Sequence, residues 1–335
     1  KLRGVTFQAK IGSMFEKMTR VQKMAEHLAG LMAPDLTATV SRAAWLSKSD
    51  LTSQMVTEFP KLQGIMGRVY ALRAREPEAV AQAIEEHYLP THAGGALPSS
   101  LPGALVSIAD KLDSICSCFG IGLAPTGTAD PYALRRQALA IIQIALARNL
   151  SVSLSGLIRK SLELLDGKIS EDPAQTCEKV LAFFQYRTEY LLAEQGFAKD
   201  LISAVTSVSI DDLPAVSRRT ATLQELKAKP DFEPLAVAFK RVVNIIKQAT
   251  QRGDLLQDGR RVTIDPGLFQ EGCEQTLYDA FQKVKQDTAG DVTQQAFDRA
   301  LLKVATLKGP IDGFFDGVMV LTADQRLKQN RLALL

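Results

Sequence analysis

Apolar residues recur at three- and four-residue spacings through almost the whole chain, and no long stretch alternates with period two. Ile11, Phe15, Met18, Val21, Met24, Ala25 and Leu28 trace one apolar face, since positions three or four apart share a side of a helix. Ser13 and Glu16 have the spacing of a capping box at its start. Ala43, Ala44, Leu46, Leu51, Met55 and Val56 repeat the pattern, read as one helix that follows Pro34 and ends at Phe59-Pro60. Further helices are expected over Val69–Tyr88 with a break near Pro77, over Gly103–Ser114, and from Pro131, which suits a first helical turn, to Arg148. Beyond Phe232 the series Leu235, Val237, Ala238, Val242, Ile245 and Ile246 begins a second helical set, and Asp265-Pro266 a further helix. The fold class is therefore all-α.

With 335 residues the chain exceeds one ordinary core, so more than one domain is expected. We divide it into 1–150, a helical connector over 151–228, and a helical bundle over 229–335, with net charges of about +4, −2 and +1. An overall charge of +3 is too mild to identify a nucleic-acid binder, because local patches matter more than totals. The longest apolar run, near Ala138–Leu146, is interrupted by Gln143 and ends at Arg148, so it reads as a buried helix and no membrane partner is expected. Cys116, Cys118, Cys177 and Cys273 are too scattered for a disulfide framework, which points to a reducing cytoplasm. The start at Lys1, without Met or signal peptide, suggests a piece of a longer polypeptide.

Several strings carry chemical potential. In Asp130-Pro131-Tyr132-Ala133-Leu134-Arg135-Arg136 the two arginines can clamp phosphates, or one can pair with Asp130 and fix a joint. Adjacent helical positions point about 100° apart, so both would not face one ligand. Gly120–Gly127 contains Gly-x-Gly but no Walker lysine and no preceding strand, so a tight turn is expected. Lys240, Arg241, Lys247, Arg252, Arg260 and Arg261 form a basic stretch, in which Lys240, Asn244 and Lys247 share a helix face. Such a face can meet phosphates while Asn244 reads an unstacked base, although a solvated face is the commoner meaning of a charge run. Arg326, Lys328, Asn330 and Arg331 make a second, weaker patch. No nucleophile–base arrangement is visible, so no catalytic residue is assigned.

Longer strings carry a family resemblance. Phe7–Ala29, Lys48–Tyr70 and Ala109–Arg136, then Phe239–Ile245, Gly313–Val320 and Arg326–Leu335, resemble the β subunit of bacterial two-subunit glycyl-tRNA synthetase, in order and over essentially the whole chain. The resemblance implies a C-terminal fragment with an HD-like helical domain first and a DALR-like anticodon-binding bundle last. It implies binding of tRNA(Gly), with glycylation using ATP and Mg performed by a separate α subunit, and no DNA partner or cofactor of its own. HD-type hydrolases need two histidines and two aspartates around divalent metal. Here Ser49-Asp50 stands for the His-Asp pair and Asp110 for the later aspartate, so we expect no metal site. Asp50 and Asp110 are expected instead to pair with Lys48 or Lys111. The rival readings are an HD-type phosphohydrolase and a scaffold that serves only subunit assembly.

Overall fold

An antiparallel ribbon of β1 (Thr6–Gln8) and β2 (Gly12–Ser13) leads straight into α1 (Met14–Met32). The computed structural model describes residues 1–92, 94–229, 232–253, 264–294 and 296–335. The expected capping box starts α1: the Ser13 amide donates to Glu16 Oε2 at 2.7 Å, and the Glu16 amide to Ser13 Oγ at 3.3 Å. The exchange satisfies donors that a helix start otherwise leaves open. Then come α2 (Thr37–Leu46), α3 (Gln54–Glu58), α4 (Ile65–Arg73), α5 (Glu78–Glu86), α6 (Leu101–Gly120), α7 (Leu134–Ala147), α8 (Leu154–Glu163), α9 (Pro173–Glu194), α10 (Lys199–Thr206) and α11 (Leu213–Lys227). The last set is α12 (Phe232–Gln251), α13 (Gly272–Thr293), α14 (Phe297–Ala305), α15 (Lys308–Gly317) and α16 (Gln325–Leu334). Among the described residues the fold is all-α apart from that ribbon, and no described helix is long and apolar enough to cross a membrane.

Two compact units result, Lys1–Ser217 and Arg218–Leu335. The first is organised around α6, whose residues from Pro102 to Gly120 are all buried. Helices α1, α2, α5, α7, α8 and α9 pack against it. Leu105, Ile108, Leu112 and Ile115 supply its apolar contacts. Ser107, Asp110, Lys111, Asp113 and Ser114 are equally buried, so their polar atoms must find partners inside the protein. The core of this unit continues through Leu157, Ile158, Val180 and Phe184 to Leu213. Residues 151–217, expected as a connector, thus share the core of residues 1–150, because α8 and α9 bury their apolar faces on α6.

Local punctuation differs from the sequence reading at three places. The helix expected between Pro34 and Phe59 is interrupted after Leu46, where Ser47 Oγ donates to Ala44 O and Ser53 Oγ accepts from Val56 N to cap α3. Helix α7 starts at Leu134 rather than Pro131, since Asp130 accepts from the amides of Leu134 (2.7 Å) and Arg135 (3.0 Å). Asp265-Pro266 opens only a short 3-10 turn, Pro266–Leu268, before Glu271 and Glu274 cap α13. The Gly120–Gly127 stretch is a turn, as expected: Gly120 O accepts from Ser170 N and Glu171 N, and Gly122 has φ 76°.

In the second unit α12 buries Ala238, Val242 and Ala249, while Leu277 and Val284 of α13 and Phe314 of α15 complete the core. Helix α12 packs on α15, and α13 on α14, α15 and α16. Asp291 joins α13 to α14 through Lys303 at 2.6 Å and Arg299 at 3.1 Å.

Candidate nucleic-acid interface and a buried ion cluster

The family resemblance singles out Asp50 and Asp110, and the structure gives them different partners. Asp110 Oδ2 accepts from Lys48 Nζ at 2.9 Å, and Oδ1 lies 3.1 Å from Lys17 Nζ, an ion pair without an aligned hydrogen bond. Lys17 also reaches Asp113 Oδ2 at 3.2 Å and Ser114 Oγ at 2.9 Å. Arg20 completes the cluster with Nε and Nη2 on Asp113 at 2.7 and 3.1 Å. Burial acts to raise the Asp110 carboxyl, but Lys17 and Lys48 hold it well below the usual carboxylate range. Asp50 instead accepts from Gly64 N at 2.6 Å, and burial pushes its carboxyl up. Ser49 is exposed and belongs to a 3-10 turn, Ser49–Thr52.

Lys111, the other expected partner, hydrogen-bonds to neither aspartate. Its ammonium donates to His87 O at 3.1 Å, Leu89 O at 3.0 Å and Ser107 Oγ at 2.7 Å. Burial pushes it down to about 7, against the pull of Asp110. His87 is fully buried, with Nδ1 2.5 Å from Ile84 O, and burial and Lys48 keep its ring well below the ordinary histidine value. The Lys48 ammonium also lies 4.0 Å from the centre of the Tyr88 ring. This donor set does not fit a divalent cation, because ammonium groups already face both Asp110 oxygens and a dication would meet three lysines. Lys17, Arg20 and Asp113 were not singled out from the sequence. Their signal was charge pairs at i, i+3 on apolar helix faces, Lys17 with Arg20 and Asp110 with Asp113.

The surface candidates separate by burial and partner. Lys240, Asn244 and Lys247 are exposed along α12, opposite its buried Ala238, Val242 and Ala249. Arg241 is exposed but engaged: its guanidinium lies 4.7 Å from the Phe315 ring centre and 3.8 Å from Asp312. Arg260 and Arg261 lie outside the described residues. Arg326 is exposed and Lys328 half-buried on α16. Arg331 is buried, with Nε on Glu274 at 2.9 Å and Nη1 on Met319 O at 3.0 Å. It therefore cannot reach a phosphate, which corrects its place among the RNA candidates. Asn330 is buried as well, exchanging hydrogen bonds with the backbone of Asp265. In the first unit Arg135 is half-buried and donates to Gly127 O at 2.8 Å, while Arg136 is exposed. The two diverge as their adjacent positions require, and Asp130 holds backbone amides, not a guanidinium.

Comparison with known proteins gives this geometry a context. The profile of the family described as glycyl-tRNA synthetase beta subunit matches residues 1–207. Relatives named glycine–tRNA ligase beta subunit include one from Geobacter sulfurreducens, 50% identical over 320 residues that cover 96% of this chain and 45% of the relative. Another, from Geobacter metallireducens, is 48% identical over 334 residues, covering 100% of this chain and 47% of the relative. A third, from Desulfatibacillum aliphaticivorans, is 44% identical over 338 residues, covering 100% and 48%. The chain thus spans about half the length of the curated relatives it matches.

Proposed function

The chain belongs to the glycyl-tRNA synthetase beta subunit family, and from that premise we propose that it is a tRNA-holding part of a glycine–tRNA ligase. In this reading it binds tRNA(Gly) in the cytoplasm and positions it for a separate α subunit of class II type. That subunit carries out glycylation with ATP and Mg, while this chain contributes no reacting group. The first unit is read as an HD-like helical domain that has exchanged metal chemistry for an internal ion cluster. The second is read as a DALR-like anticodon-binding bundle.

The observation that carries the proposal is the exposed stripe Lys240–Asn244–Lys247 on α12 in a chain of this family. Two ammonium groups flanking a carboxamide offer phosphate grip and a base-reading group on one face. Arg326 and Lys328 of α16 extend the candidate surface, and Arg136 is the free cation of the pair on α7. The phosphohydrolase alternative is disfavoured by the lysines on Asp110.

A salt titration of full-chain binding to tRNA(Gly), beside the same tRNA with changed anticodon bases, tests the reading. Tighter binding of the unchanged tRNA, weakening with salt, is expected. Equal affinity for the two would reduce the second unit to a grip without identity. A wild-type chain with no affinity for either would overturn the proposal in favour of an assembly scaffold.

A further inference from the structure

Helix α9 carries Tyr186 and Tyr190 in solvent, 61% and 49% exposed, four residues apart and so on one face. The opposite side of the same helix supplies Val180 and Phe184 to the core. Burial thus explains one side of α9 and leaves the two tyrosines without a structural role. The Arg187 guanidinium, on the same helix, sits 4.6 Å from the Tyr186 ring centre and 5.6 Å from that of Phe183. Arg187 makes no hydrogen bond or ion pair with any described residue, and its Nε is buried without a partner. An arginine left this way keeps its planar set of donors available to an external acceptor.

Helix α7 packs against α9 and brings a second cation. Arg135 acts on Arg187 strongly enough to lower its pKa further than burial does alone. One of the Arg135 nitrogens holds Gly127 O. Asp130, the acid that acts on Arg187, has both oxygens committed to the amides of Leu134 and Arg135. The result is two exposed tyrosines, one of them against the Arg187 guanidinium, beside two guanidinium groups that have no paired side-chain carboxylate among the described residues.

Aromatic faces next to arginines suit a ligand that joins a flat π system to an anion at one-nucleotide spacing. We propose that Tyr186, Tyr190, Arg187 and Arg135 form a stacking platform for an unpaired nucleotide of bound RNA, its base on a tyrosine and its phosphate on the arginines. The platform rests on the reading of this chain as a tRNA binder and adds to it a single-strand contact in the first unit, apart from the α12 stripe of the second. A protein partner would cover the tyrosines but would not require unpaired guanidinium groups, so the charge favours nucleic acid.

The test uses the full chain with two probes, tRNA(Gly) and a uridine heptamer carrying one 2-aminopurine, whose fluorescence falls on stacking. The double variant Tyr186→Ala/Tyr190→Ala should lose the quenching and bind the heptamer at least about fivefold more weakly. Tyr186→Phe/Tyr190→Phe should keep both properties, and its retained melting temperature guards against misfolding as the cause. Arg187→Gln should reduce the salt slope for the heptamer by about 0.7. Unchanged heptamer and tRNA binding in the alanine variant would overturn the platform while leaving the tRNA reading standing. So would loss of α-subunit association with RNA binding intact, which would make the face a protein contact. A wild-type chain that binds neither probe would sink both readings.

Discussion

Replacing Asp110 by Asn isolates the charge in the buried cluster while keeping its shape. Lys17 and Lys48 have side chains only 4% and 6% exposed, and Asp110 only 12%. After the substitution Lys17 retains Asp113 at 3.2 Å and Ser114 at 2.9 Å. Among the described residues Lys48 retains the face of Tyr88 at 4.0 Å and the charge of Asp50, with no second ion pair of its own. The orphaned charge is therefore Lys48, and leaving one member of a buried pair unmatched costs about 3–5 kcal/mol. For a unit the size of Lys1–Ser217, each kcal/mol lowers the melting temperature by about 2–4 °C, so a fall of about 6–20 °C is expected. Trp45 is the single tryptophan and packs edge-on to Phe15 at 5.7 Å, so its fluorescence follows this unit alone during urea unfolding. Adding Lys48→Met should recover much of the loss, because it removes the stranded ammonium. A loss under about 1 kcal/mol, or a double variant no better than the single, would refute the claim that Asp110 is held as a counter-ion.

Lys111 should make stability depend on pH. Unfolded, it keeps its proton up to the ordinary 10.5; folded, it releases it near 7, so the unfolded state binds more protons in between and stability rises with pH. Buried Cys116 and Cys118, raised to about 12 and 11 from 9, act oppositely above pH 9. Urea unfolding free energy should thus climb between about pH 7 and 9 and the climb should flatten in Lys111→Met; a flat wild-type profile would mean the folded ammonium stays charged. Gly120→Ala would drive its new Cβ into the Ile169 side chain, an overpacking worth about 1–3 kcal/mol in thermal melts that Ile169→Ala should partly relieve. Arg331→Met should cost the second unit about 3–5 kcal/mol by stranding Glu274, whereas Lys247→Ala should leave its melting point unchanged and flatten the salt slope of tRNA binding. The reverse pattern would mean that Arg331 and Lys247 have been assigned each other's roles.

What was legible in the sequence was set by short-range rules. Ser13 and Glu16 fix the start of α1 within four residues of chain, and Pro77 stands between α4 and α5 because it cannot continue the first. The break between α2 and α3 was missed because its apolar positions keep helical spacing across Ser47–Ser53. Hydroxyls of Ser47 and Ser53 divert the backbone there, a competition that periodicity does not record. The burial of α6 was half legible. Leu105, Ile108, Ala109 and Leu112 mark one face and Asp110 was expected to find a lysine, but nothing near it in sequence announced that α1 and the α5 end bring Lys17, Arg20 and the His87 carbonyl against Asp110, Asp113 and Lys111.

That last point bears on why the candidate RNA residues could not be sorted beforehand. Lys240 and Arg331 look alike in sequence, each a cation among other polar residues in a helical stretch. What separates them is a carboxylate supplied from elsewhere: Glu274, 57 positions from Arg331, is buried opposite it, while among the described residues no ion pair engages the exposed Lys240. The Lys17–Asp113 pair spans 96 positions and answers to the same logic. A buried cation must be matched, so its partner is fixed by the fold; a cation kept for RNA must stay unmatched, so the fold withholds one. By this criterion Lys240, Lys247 and Arg136 remain available to phosphate, Arg331 does not, and Arg187 is the instructive case. It is half-buried like a structural residue yet unpaired like a binding one, which is the combination expected where a guanidinium is preorganised for an acceptor that arrives only with the ligand.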